Sequence, residues 1–149
     1  MALIDLITPE VVIIPLSGQN KPDIIRELLT VLDRAGKVSD SEAAYDALLA
    51  REAMGSTGLE NGIAVPHAKT EAVKNLTIAI GIAPEGVDFD SIDGNPSRLF
   101  FLMLAPPDQS GPHIEALAEI ARVTTSHAFC RLLLGATSAQ EVVDVFQEE

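Results

Sequence analysis

The run RLFFLMLAP, from Arg98 to Pro106, constrains the fold of this chain more than any other stretch. Between the flanking arginine and proline every residue is apolar, so a strand formed here has no face that tolerates water. Such a central strand, buried on both faces, needs helices above and below the sheet that carries it. The run falls far short of the ~20 apolar residues that cross a bilayer. NLTIAIGIA, Asn75 to Ala83, predicts a second strand, and VVIIPLSG, Val11 to Gly18, predicts a third that turn residues close. IAV, Ile63 to Val65, and GVDF, ahead of the turn SIDGNP, predict shorter ones.

Helical patterns alternate with these strands. In NKPDIIRELLTVLDRAG, Pro22 suits a first helical turn and Gly36 a helix end. Ile24, Ile25, Leu28, Leu29 and Leu32 make one apolar face between them. Ser39 and Glu42 read as an S-x-x-E capping box that opens a second helix to about Glu52, with Tyr45, Leu48 and Leu49 inward. After the loop PPDQSGP, a helix is predicted from about His113 to Thr124, with Ile114, Leu117, Ala118 and Ala121 as its inner stripe. Ser126 caps a further helix ending near Gly135, and Ser138 with Glu141 forms a capping box for the last. No internal repeat, low-complexity tract or long linker interrupts the pattern, and 149 residues suit one domain, 1–149. Strands and helices interleaved in this way predict an α/β or α+β layer fold, with helices covering a mixed sheet.

Charge and cysteine content narrow the function. The formal net charge of −12 repels a phosphate backbone, which argues against nucleic acid as a partner. It promotes solubility and would attract a basic partner protein. MALIDLITPE at the N-terminus carries Asp5 and Glu10 and no basic region, so it does not read as a signal peptide. One cysteine, Cys130, allows neither an internal disulfide nor a cysteine metal cluster. A reducing cytoplasm is the expected compartment, without direct membrane insertion. Cys130 itself, within HAFCRLLLG, reads as a small buried hydrophobe.

The chemistry-bearing residues are three histidines and their neighbours. His67 follows Pro66, whose fixed φ and missing N–H interrupt a ladder, so His67 is expected at a strand end among turns. Ligands and catalytic groups gather at such ends, and a fixed backbone aims a nucleophile; a half-exposed loop histidine is the plainer alternative. His113, placed just inside a helix start, lies where free N–H groups favour a phosphoryl group or carboxylate and disfavour imidazolium. It reads equally as a first-turn residue facing solvent. His127 reads as surface. Arg51, at a helix end, offers a guanidinium fork to phosphoryl oxygens, or simply complements the helix dipole. Ser56 and Thr57 read either as hydroxyl donors to a phosphoryl group or as turn residues. Neither a G-x-x-x-x-G-K-[ST] loop nor a G-x-S-x-G elbow is present, and the scattered histidines do not supply a zinc site.

REAMGSTGLENGIAVPHAKTE, with its P-H signature, and FDSIDGNPSRLFFLMLAPPDQSGPHIEALAEIAR, with P-x-x-x-x-x-H-[IL], together resemble a known family. It comprises the type-2 enzyme IIA domains, fructose/mannitol type, of the bacterial phosphoenolpyruvate-dependent phosphotransferase system. The resemblance extends to about Phe146. It implies a three-layer sandwich, a mixed and mostly parallel sheet with helices on both faces. It also implies that His67 is the phosphorylated histidine, that His113 is a second active-site histidine holding the site, and that Arg51 stabilises the phosphoryl group. No metal or cofactor is implied. The donor would be a histidine phosphocarrier protein, HPr or its nitrogen-branch paralogue, and the acceptor a IIB domain or a regulatory target. The second stretch is most similar to the nitrogen-regulatory branch; a free-standing sugar-transport IIA and a binding module that has lost phosphotransfer are the alternatives. Two residues depart from the family pattern: Glu60 stands where a glycine is usual, and Ala68 follows His67 where glycine is frequent.

Overall fold

The computed structural model describes residues 3–148. Leu99 to Ala105 are each no more than 1% exposed, within β5, Ser97–Ala105. Its side chains alternate between two separate cores. Phe100, Leu102 and Leu104 enter one, and Leu99, Phe101, Met103 and Ala105 enter the other. Burial on both faces is thus met by two helical layers. One holds α1, Lys21–Arg34, and α2, Ser41–Ala53. The other holds α3, Ser110–Thr124, α4, His127–Leu134, and α5, Ala139–Gln147.

The sheet is mixed. β4, Thr77–Val87, runs antiparallel to β5, with Ile80 opposite Phe101. β1, Val12–Ile13, is parallel to β4. β2, Ile63–Ala64, and β3, His67–Lys69, both lie parallel to β5 on its other side. The pairings are therefore mostly parallel around one antiparallel pair. Within β4, Ile78, Ile80 and Ile82 face the three-helix layer, whereas Ala79 and Ala83 face α1. A Cβ on Gly81 would come within 2.7 Å of Leu16 and 2.8 Å of Leu28. Small residues on that face let α1 approach closely, and its buried Ile24, Ile25, Leu28, Leu29 and Leu32 fill the space.

Several elements differ locally from expectation. The strand predicted over Val11–Gly18 shrinks to Val12–Ile13, because a 3-10 turn, Pro9–Val11, precedes it and Pro15 has no N–H to carry a ladder further. GVDF does not form a separate strand; Val87 ends β4 after a register shift. Asp40, not Ser39, caps α2, accepting the Ala43 N–H. Ser39 instead donates to the Ala72 carbonyl, and Glu42 pairs with Arg26. The inward residues of α2 are Ala44 and Leu48, with Tyr45 and Leu49 half-buried. Ser126 and Ser138 cap α4 and α5 as expected. α3 begins three residues earlier than predicted, and its buried stripe is His113, Ala116, Ile120 and Val123, one position off the expected set. Ile114 is 66% exposed.

Candidate functional site

His67 opens a strand instead of closing one. Pro66 cannot donate to the ladder, but its carbonyl accepts the Met103 N–H at 2.9 Å, and the chain rejoins β5 with His67 opposite Met103. Strand alternation then turns Ala68 into the α1–α2 core and leaves His67 and Lys69 on the other face. His67 is half-buried, and its Nδ1 lies 2.7 Å from the Val65 carbonyl. A carbonyl can only accept, so Nδ1 carries a proton here, and in the neutral ring the lone pair is on Nε2. Val65 is itself held, its N–H donating to the Thr57 carbonyl at 3.0 Å.

The segment from Thr57 to Leu59 folds back on β2 through a Gly58–Ala64 bridge, and the reversal falls at Asn61 and Gly62, both with positive φ. Glu60 lies in this turn with an exposed side chain. The departure from glycine thus occurs at a position without positive φ, and the carboxylate lies in solvent. Ala68, 7% exposed, packs into the core.

A cleft of about 210 Å³ opens beside His67. Arg51, Ser56, Thr57, Leu59 and Val65 form one wall, and Leu117, Ile120, Ala121 and Thr124 of α3 form the other. Leu117 and Ala121, expected in the inner stripe, thus face this cleft. Arg51 sits in the last turn of α2 and donates to the Gly55 carbonyl at 2.8 Å. The Ser56 hydroxyl donates to the Phe89 carbonyl at 2.7 Å and accepts the Gly58 N–H. The Thr57 hydroxyl donates to Glu52. Both hydroxyl protons therefore point to protein acceptors.

His113 is not a first-turn residue facing solvent. It is the fourth residue of α3, 4% exposed, with its N–H donated to Gln109. Its ring meets that of His67 edge-on, centroids 5.6 Å apart. Burial pushes its pKa down, and any proton taken up by His67 and the Lys69 charge act in the same direction, so it stays neutral at neutral pH. Its Nε2 is buried without a hydrogen-bond partner among the described residues. The start of α3 is bound to Lys69, which donates to Ser110 at 2.8 Å. His127 is exposed. Cys130 is half-buried against the three-helix core, its thiol on the Thr124 carbonyl, and burial raises its pKa.

Sequence reasoning missed an ion-pair network behind the cleft. Glu52, its side chain 5% exposed, pairs with Lys21 at 3.0 Å, and Lys21 also reaches Asp90 at 3.1 Å. Lys21 further contacts Ser56 at 3.3 Å and lies over the Phe89 ring. Lys21 and Glu52 are 31 positions apart, so no local pattern links them. The one signal was the adjacency of Glu52 to Arg51. Among the described residues no group of three His, Cys, Asp or Glu side chains is placed to hold a metal, and no helix is long and apolar enough to cross a membrane.

This three-layer architecture is that of the IIA proteins. The chain superposes on the crystal structure of nitrogen regulatory protein IIA-Ntr from Neisseria meningitidis with a TM-score of 0.87, at 30% identity over 96% of this chain and 97% of that one. A complex of enzyme IIAMTL with phosphorylated enzyme IIBMTL from Escherichia coli matches with a TM-score of 0.81, at 25% identity over 95% of this chain and 97% of that one. The chain belongs to the family described as phosphoenolpyruvate-dependent sugar phosphotransferase system, EIIA 2, whose model matches residues 5–149. It is 39% identical to the fructose-specific EIIA component of Haloferax volcanii, over 97% of this chain and 95% of that protein. It is also 36% identical to the fructose-specific EIIABC component of Bacillus subtilis, over 99% of this chain and 23% of that protein. The chain thus spans less than a quarter of the latter's length.

Proposed function

We propose that the protein is a cytoplasmic phosphocarrier that accepts a phosphoryl group on Nε2 of His67 from a phosphorylated histidine phosphocarrier protein. The observation that carries this reading is the 2.7 Å contact between Nδ1 and Val65, which in the neutral ring places the lone pair on Nε2, beside a cleft that also contains Arg51. The Nε2 lone pair attacks phosphorus in line as the donor's P–N bond breaks. The electrons of that bond stay with the donor ring, which enters as a phosphoryl imidazolium and leaves as neutral imidazole. His67 takes up the positive charge and shares it with the Val65 carbonyl through Nδ1–H. Charge on the equatorial oxygens calls for positioned donors, and Arg51 supplies a guanidinium that exchanges Gly55 for phosphoryl oxygen. Neutral His113, packed edge-on, supports the ring without repelling the positive charge that His67 takes up.

The nitrogen-regulatory reading, in which phosphorylation state is the output, draws on the similarity to IIA-Ntr. Added phosphate brings roughly −1.5 to −2 charges, by analogy with phosphorylated hydroxyls, to a chain already at −12. A second reading, transfer onward to a IIB cysteine, is favoured by the identity to the fructose-specific component and by the IIA–IIB complex of a structural relative.

Intact mass after incubation with phosphoenolpyruvate, enzyme I and the histidine phosphocarrier tests the proposal. Wild type gains an acid-labile phosphoryl adduct and His67→Ala gains none. An adduct of equal yield on His67→Ala, or none on folded wild type beside a charged carrier, overturns it. Adding a fructose-type IIB then separates the branches, since transfer to the cysteine supports the sugar reading.

A further inference from the structure

Glu52 is a buried carboxylate in the last α2 turn that does not line the cleft, and phosphotransfer at His67 gives it no part. Its contacts nevertheless lead to the reacting ring. Oε1 accepts the Thr57 hydroxyl, and Oε2 accepts the Thr57 N–H at 3.2 Å and the Lys21 ammonium at 3.0 Å. With side chain and amide both held, Thr57 presents its carbonyl to the Val65 N–H at 3.0 Å. The Val65 carbonyl, fixed in turn, receives Nδ1–H of His67 at 2.7 Å. The same helical turn carries Arg51, whose guanidinium binds Gly55, two residues ahead of Thr57. One carboxylate thus underlies the carbonyl that receives the nucleophile, from the same helical turn that carries Arg51.

We propose that Glu52 is a positioning residue for phosphotransfer at His67: it fixes Thr57, and through Thr57 and Val65 it sets the tautomer and direction of the reacting ring. The inference rests on the phosphocarrier reading and names how that site is kept in order. Lys21 is the counter-charge paired with Glu52, and it ties Asp90 and Ser56 into the same frame. A buried ion pair is a poor device for stability alone, because desolvation offsets much of its attraction and an apolar pair of similar volume does as well. It is a good device for direction, since a carboxylate accepting a hydroxyl and an amide together fixes Thr57 in one orientation. Small displacements of a reacting group cost large factors in rate.

The test uses the whole chain with Glu52→Gln, Thr57→Val and Thr57→Ser. Two quantities are read: the ¹⁵N shifts of the His67 ring in the free protein, and kcat and KM for transfer from the phosphorylated carrier. Thr57→Val is expected to lower kcat by roughly tenfold to a hundredfold with KM little changed, and to move the ring away from the pure Nδ1–H tautomer. Glu52→Gln shifts both in the same direction, Thr57→Ser restores both, and the double variant Glu52→Gln with Thr57→Val costs no more than the larger single one. Folded Glu52→Gln and Thr57→Val proteins with wild-type ring shifts and kcat overturn the proposal, as does a rise in KM alone. Should Thr57→Val fail to fold, Glu52→Gln decides by the same two readouts. Absence of any adduct on wild type sinks the phosphocarrier reading instead, and the ring shifts still decide the positioning role.

Discussion

His113 is the residue on which pH acts most directly. Its folded-state pKa lies below the ordinary 6.5 because burial disfavours the charged ring. Between that depressed value and 6.5 the unfolded chain binds more protons than the folded one, so stability falls as pH drops through this window and is fully regained above it. Urea midpoints measured from pH 7.5 downward should therefore decline below about 6.5, and His113→Leu should flatten that decline. Leucine also removes a buried nitrogen that has no hydrogen-bond partner among the described residues, so at pH 7 the variant should remain within about 1 kcal/mol of wild type. An unchanged acid slope in His113→Leu would assign the effect to another group.

At the level of elements, the start of α2 offers a clean comparison. Ser39 and Asp40 are neighbours with interchangeable capping chemistry, yet Asp40 accepts the Ala43 N–H while Ser39 crosses to Ala72 on the segment between β3 and β4. Asp40→Ala should cost about 1 kcal/mol in urea unfolding, the usual loss for an N-cap. Asp40→Asn should recover most of it. Arg51 and Glu52 lie in the last turn of α2, so the rotation of the helix decides which way each of these two points. The one-residue shift of the α3 stripe has a comparable consequence. It puts His113 inside against His67 and leaves Leu117 and Ala121 facing the cleft.

For the whole molecule, two cores share one sheet. β4 and β5 contribute alternate side chains to both, so neither helical layer can be lost without exposing the strands that the other needs. A single cooperative transition is expected. Tyr45 is the one tyrosine and there is no tryptophan, so tyrosine emission reports on the α1–α2 layer, where Tyr45 stacks on Arg26. Far-UV ellipticity reports on both layers. The two midpoints in urea should coincide; separate midpoints would show layers that unfold independently.

Strand β5, the apolar face of α1, the helix ends at Gly36, Ser126 and Ser138 and the layered architecture were legible in the sequence, because each depends on neighbours a few positions away. His67 and Arg51 stood out for the same reason: a proline, a cluster of turn formers and a helix end mark them locally. The length of β1, the cap of α2 and the face of α3 were decided elsewhere. The 3-10 turn ahead of β1, the Ala72 carbonyl and the second core each overrode a local preference. The pairing of Lys21 with Glu52, the destination of the Ser56 and Thr57 hydroxyls and the burial of His113 against His67 exist only once distant segments meet. Desolvation and hydrogen-bond direction arise from those contacts, and sequence periodicity does not encode them.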